Sequence, residues 1–215
     1  MSTTSIHGGE RKEEDAMRSV AFPIYQTASF YFEDLDSAAR AFQEKTAYIY
    51  SRLGNPTVDL LERRMALLEK GEQAVATSSG MSAISALLLH LLQTGDHLIA
   101  PYQLYTSTYH LMKDHLPQLG IQTTLINFEN VENLERAIQK NTRAIFLETP
   151  GNPLLNLIDI EAVAQIAHQH NPPIPVIVDN TFATPICQQP LLHKADFVIH
   201  SATKFLSGHG DTLGG

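Results

Sequence analysis

Short apolar runs alternate along this chain with longer stretches of helical period, the pattern of a parallel sheet wrapped by helices. The runs AVATS (74–78), HLIAP (97–101), TTLIN (123–127), AIFLET (144–149), VIVDN (176–180) and FVIHS (197–201) are rich in branched and aromatic residues, and turn chemistry follows each. They predict six strands. Between them, MSAISALLLHLL (81–92) is apolar nearly all round and predicts a buried helix, whereas VENLERAIQK (131–140) and IEAVAQIAHQH (160–170) predict helices with one polar face. Two earlier helices are predicted at 35–44 and 57–69, the second capped by Thr57 just after Pro56. Residues 1–20 read as a polar arm. The fold class is therefore α/β, a mostly parallel sheet flanked by helices.

Composition narrows the partners. With 15 Lys and Arg against 23 Asp and Glu the formal charge is −8, and 43% of the 215 residues are hydrophobic. A chain of that balance has no cationic surface for nucleic acid or anionic membrane, so any anion site must be local. Cys187 is the single cysteine, which excludes an internal disulfide framework and fits a reducing compartment. The N-terminus has no apolar signal region and no run of roughly 18 apolar residues occurs, so a cytoplasmic protein is expected. The glycine patterns of dinucleotide and P-loop sites are missing. No metal is expected: His168 and His170 lie two apart on a helix, where side chains diverge, and no zinc ligand set accompanies them.

In open α/β sheets ligands sit beyond the carboxyl ends of the strands, so the polar residues closing each strand are the candidates. After the first run, Ser78, Ser79, Gly80 and Met81 open a buried helix whose start suits an anion; a plain N-cap explains the same residues. Tyr105 follows the second run and serves either to cover a flat ring or to pack. Asp179 closes an apolar strand, where a carboxylate is costly without a cationic or hydrogen-bonding partner. Of seven lysines, Lys12, Lys45, Lys70, Lys113, Lys140 and Lys194 read as solvated charges, whereas Lys204 alone follows a buried strand. A desolvated lysine loses proton affinity and becomes a nucleophilic amine. Anion site, tyrosine, aspartate and lysine together describe a seat for pyridoxal 5'-phosphate: helix start for the phosphate, Lys204 for the aldehyde, Asp179 for the ring nitrogen.

The segments PIYQTASF (23–30), YSRLGNPT (50–57), SSGMSAI (78–84), ETPGNP (148–153), DNTFATP (179–185) and HSATKFLSGHGD (200–211) resemble, in order and spacing, those of the pyridoxal-phosphate enzymes of cysteine and methionine metabolism. That family includes cystathionine lyases and synthases, methionine gamma-lyase and O-acetylhomoserine sulfhydrylase. The resemblance covers almost the whole chain and implies the large-domain fold of the aspartate aminotransferase type. It implies Lys204 as the lysine bonded to the cofactor, Asp179 at the ring nitrogen and Tyr105 stacked on the ring as an acid-base group. Ser201, Thr203, Gly80 and Met81 would hold the phosphate, and Asn152 would lie beside the ring hydroxyl. Tyr50 and Arg52 would reach the phosphate of a neighbouring subunit in a homotetramer built as a dimer of dimers.

The resemblance further implies residues 1–55 as arm and inter-subunit segment and 56–215 as an incomplete cofactor domain, with no small C-terminal domain. That second domain supplies the family's substrate-carboxylate arginine, so none of the eight arginines here takes that role. Ser107 stands where methionine gamma-lyases carry cysteine, which weakens a methionine-specific reading. The implied activity is carbon-sulfur lysis of cystathionine, methionine or a related amino acid to a keto acid and ammonia. Gamma-replacement is the alternative, and a truncated chain that binds cofactor or pairs subunits without turnover is a second.

Overall fold

A computed structural model describes residues 2–10, 19–44 and 47–215 of the chain. The chain divides into two compact units, Met1–Ala76 and Thr77–Gly215. Lys12 and Lys45 lie outside the described residues, as does much of the expected polar arm.

Among the described residues, the first unit holds three helices, α1 (Ser2–His7), α2 (Leu35–Glu44) and α3 (Pro56–Glu69). α3 begins one residue earlier than its sequence suggests. Asn55, not Thr57, is its N-cap: the Asn55 side chain accepts the Thr57 backbone N–H at 2.9 Å. Pro56 then takes the first helical position, where its missing N–H costs nothing and its φ is already helical. The same asparagine donates to the Tyr25 carbonyl at 2.9 Å, tying the extended 19–30 segment to the start of the helix. Arg64 donates through Nε to the Gly8 carbonyl at 3.1 Å and fastens α1.

The second unit is a five-stranded sheet in the order β2-β1-β3-β4-β5, with every pairing parallel. The strands are β1 (His97–Pro101), β2 (Gln122–Ile126), β3 (Thr142–Glu148), β4 (Val176–Asp179) and β5 (Phe197–Ile199). Side-chain alternation splits the core in two. Ile99, Ile145, Leu147, Val176 and Val178 pack on one face with α6 (Glu132–Ala137) and α7 (Ile160–His168), through Leu134, Val163, Ala164 and Ala167. Leu98, Ala100, Ala144, Phe146, Ile177 and Ile199 pack on the other with α4 (Gly80–Leu91) through Ile84 and Leu88. The central strands are covered on both faces, which is why they read as continuous apolar runs.

Four of the six predicted strands match closely, and FVIHS pairs only as far as Ile199. AVATS does not form a strand. Only Thr77 pairs, exchanging backbone hydrogen bonds with Gly215 at 2.7 and 3.0 Å, and one pair is no ladder. Branched residues favour an extended backbone, but a strand exists only where a neighbour satisfies its N–H and C=O groups along its length. The chain after β1 also carries more helix than expected: α5 (Thr106–His110), a π-helical turn (Leu111–His115) and a 3₁₀ turn (Leu116–Leu119) bury Met112 and Leu116. At the opposite end of the sheet, buried His97 is hydrogen-bonded at 2.8 Å to both Thr142 and Thr124 hydroxyls, and burial pushes its pKa down. None of the described helices is long and apolar enough to cross a membrane.

Candidate active site

The strand order reverses between β1 and β3, and the crevice at such a switch point opens at the carboxyl ends of the strands. A cavity of about 210 Å³ lies there, built entirely from the second unit. Its lining includes Ser79 and eight of the ten residues that the resemblance implies for the cofactor: Gly80, Met81, Tyr105, Asn152, Asp179, Ser201, Thr203 and Lys204. Tyr50 and Arg52 belong to the first unit, where the Arg52 guanidinium lies 5.5 Å from the Tyr50 ring centroid.

One wall is the start of α4. Ser79 caps it reciprocally: its hydroxyl accepts the Ser82 backbone N–H at 3.1 Å, and the Ser82 hydroxyl accepts the Ser79 N–H at 2.9 Å. The cap uses those two amides, and among the described residues the N–H groups of Gly80 and Met81 have no partner. The SSGM segment is thus a cap that leaves an open pair of donors at the positive end of a helix. Gly80 also has a steric role. A Cβ there would sit 2.7 Å from the Ser201 Cβ, so only glycine lets the helix start meet the end of β5.

Asp179 ends β4 as a buried carboxylate. Thr181 donates to its Oδ1 twice, from the backbone at 3.0 Å and from the hydroxyl at 2.5 Å. Burial nevertheless pushes the Asp179 pKa up, more than those bonds and the nearby His200 pull it down. The Thr181 hydroxyl in turn accepts the Ser201 N–H at 2.8 Å, joining the aspartate to the end of β5. Beyond Ser201 the chain makes a π-like turn, Ala202–Leu206, in which Lys204 departs from helical geometry at φ −91° and ψ −123°. Phe205 of this turn packs edge-on against Phe182, with centroids 5.8 Å apart. Lys204 is exposed, not desolvated as its strand-end position suggests, although its side chain lines the cavity.

Sequence reasoning passed over Glu148, at the end of β3 and in register with Asp179. The rule that singled out Asp179, a carboxylate closing an apolar strand, applies equally to AIFLET. Its Oε2 accepts the Tyr105 backbone N–H at 2.8 Å and its Oε1 that of Asn152 at 2.7 Å. Burial, with a smaller push from Asp179, raises its pKa to about 7 against the pull of those two bonds. Thr181 and Phe182 were missed as well, since nothing in DNTF distinguishes site-lining residues from turn residues.

A pair of open amides with two hydroxyls, an amine, an aromatic ring and a buried carboxylate wanting a cation fit a small anionic ring compound with a basic nitrogen. A family model for the Cys/Met metabolism PLP-dependent enzymes matches residues 2–215. The chain belongs to that family. Its cofactor is pyridoxal 5'-phosphate. Among curated relatives, an L-methionine gamma-lyase of Fusobacterium nucleatum subsp. polymorphum is 48% identical over 216 residues, covering 100% of this chain and 54% of the relative. An O-acetyl-L-homoserine sulfhydrylase of Leptospira meyeri is 43% identical over 214 residues, covering 99% and 48%. The chain thus spans about half the length of the curated relatives it matches. A crystal structure described as an O-acetylhomoserine (thiol)-lyase of Campylobacter jejuni superposes with a TM-score of 0.91 at 39% identity, over 99% of this chain and 52% of that one. It contains N'-pyridoxyl-lysine-5'-monophosphate. Cystathionine gamma-lyase from Lactobacillus plantarum, complexed with L-serine, superposes at 0.89 with 37% identity, over 99% and 52%.

Proposed function

We propose that this family member is a carbon-sulfur lyase, releasing a thiol, ammonia and a keto acid from cystathionine, methionine or a related amino acid. The observation that carries this reading is the convergence of Asp179, Lys204, Tyr105 and the α4 start on one cavity from four separate strand ends and turns. When bound, pyridoxal phosphate supplies an electron sink for the charge left on a substrate carbon that has lost its proton. The amides of Gly80 and Met81 and the hydroxyls of Ser201 and Thr203 hold its phosphate. Asp179 offers the negative charge that keeps the ring nitrogen protonated, and that cation relieves the burial cost of the carboxylate. Asn152, in the same cavity lining, would stand beside the ring hydroxyl. Lys204 would hold the aldehyde through Nζ, and its neutral amine would take the proton from the substrate's alpha carbon. Tyr105, which lines the cavity, would cover the ring, and its hydroxyl would give a proton to the departing sulfur. Tyr50 and Arg52 serve the phosphate of a second copy of the chain, through residues 1–55 as an inter-subunit segment of a dimer of dimers.

The sulfhydrylase among the relatives favours a second reading, gamma-replacement, in which the same residues act and an added thiol takes the place of the one that leaves. One experiment addresses both. The protein is loaded with pyridoxal phosphate, reduced with borohydride and digested, and the pyridoxyl mass is expected on the peptide containing Lys204. The loaded protein is then given methionine, cystathionine, or O-acetylhomoserine with sulfide, and keto acid, ammonia and new thioamino acid are quantified. Keto acid and ammonia in step with thiol support lysis. A new thioamino acid without ammonia supports replacement. Label on another lysine, or label on Lys204 with no product from any substrate, overturns the lyase reading.

A further inference from the structure

We propose that Glu148 is a positioning residue: its ionised carboxylate clasps the Tyr105 segment and the Asn152 turn, one backbone N–H on each oxygen, and so sets two walls of the cofactor cavity. This rests on the reading that the cavity takes pyridoxal phosphate. The Tyr105 N–H meets Oε2 at 2.8 Å and the Asn152 N–H meets Oε1 at 2.7 Å, so both oxygens act as acceptors. The two donors come from loops that follow different strands, β1 and β3, on either side of the switch point. Glu148 itself is only 6% exposed, and its strand is the sheet's centre, so the carboxylate is a fixed post and the loops are what it places.

Ionisation matters because of the geometry. A protonated carboxyl has one O–H oxygen, which donates and accepts only weakly, so one of the two N–H groups then loses its strong, charged acceptor. The clasp is complete only in the carboxylate form. Burial holds the pKa at about 7, which places that change near neutrality. The ionisable groups around it are Asp179, its register partner on β4, and Tyr105 and Lys204, which line the same cavity; His200 acts on Asp179. Of these, Asp179 is the one whose charge reaches Glu148 and raises its pKa. A cation brought to Asp179 therefore favours ionised Glu148, and a closed clasp favours the loaded site.

The test is amide hydrogen exchange across the segments containing Tyr105 and Asn152, from pH 6 to pH 8, corrected for intrinsic exchange rates. Hydrogen bonds to charged groups are strong enough that losing one should reduce protection by about ten- to a hundredfold. In the wild type, at least one of the two amides should lose that protection at pH 6 and regain it at pH 8. Glu148→Gln has a single acceptor oxygen, so one segment should be unprotected at every pH. Its affinity for pyridoxal phosphate at pH 8, followed by absorbance, should fall by about tenfold or more, while borohydride still fixes the cofactor on Lys204. Protection at both amides that is constant with pH and unchanged in Glu148→Gln overturns the proposal. If the variant does not fold, the wild-type pH series decides alone. If the wild type binds no pyridoxal phosphate, the functional reading fails while the exchange data still judge the clasp.

Discussion

Glu148 should make the protein lose stability as pH rises through neutrality, by an amount that follows from its burial. The folded protein holds its carboxyl proton up to about pH 7, whereas an ordinary glutamate releases it near 4.5. Between those values the folded state binds more protons than the unfolded chain, so this contribution is fully present below about 4.5 and is lost as pH rises through about 7. The gap corresponds to about 3 kcal/mol. Glu148→Gln removes the titration and keeps the volume. Asp179, also raised by burial, gives a dependence of the same sign in both proteins, and its smaller repulsion of Glu148 is part of the measured gap. Urea unfolding followed by circular dichroism at a series of pH values from 4.5 to 8 would measure it. The variant should gain on the wild type by about 3 kcal/mol across that range. Stability curves that run parallel for the two proteins, or a gap that moves the other way, would refute the reasoning.

Two further outcomes follow, one at the cavity and one from the first unit. Gly80→Ala forces a Cβ to within 2.7 Å of the Ser201 Cβ, an overpacking that should cost about 1–3 kcal/mol by urea unfolding and weaken pyridoxal phosphate binding, because it pries apart the two proposed halves of the phosphate seat. Stability and affinity equal to wild type would show that the helix start and the end of β5 do not need their close approach. If Arg52 serves a second copy's phosphate, Arg52→Ala should lower cofactor affinity by about ten- to a hundredfold. Refolding it with Lys204→Ala should then restore cofactor fixation at Lys204 above that of either variant alone, since hybrid dimers contain one intact site; hybrids that recover nothing would place Arg52 within its own subunit's site or outside any site.

What the sequence determined by itself was the local part. The runs at 97–101, 144–149 and 176–180 have to be strands because they are branched, apolar and closed by turns, and burial on both faces is the only way to satisfy them. The polar residues closing the strands were legible for the same reason: Asp179 and Ser201 stand out where the apolar run stops. The tertiary structure decided everything that depends on a neighbour distant in the chain. AVATS has strand chemistry but lacks a ladder partner beyond Thr77, so its propensity goes unused. Asn55 displaces Thr57 as the cap of α3 because its side chain also reaches the Tyr25 carbonyl, 30 residues away. The strand before Lys204 reads as buried, yet it lies at the sheet edge and only Ile199 of it is buried, and the turn after Ser201 leaves Lys204 exposed. Glu148 and Tyr105 are 43 residues apart and meet only because β1 and β3 lie side by side, although β2 comes between them in the chain. Propensity and capping act over a few residues, and pairing, burial and the pKa of a carboxylate are set by whatever the fold brings beside it.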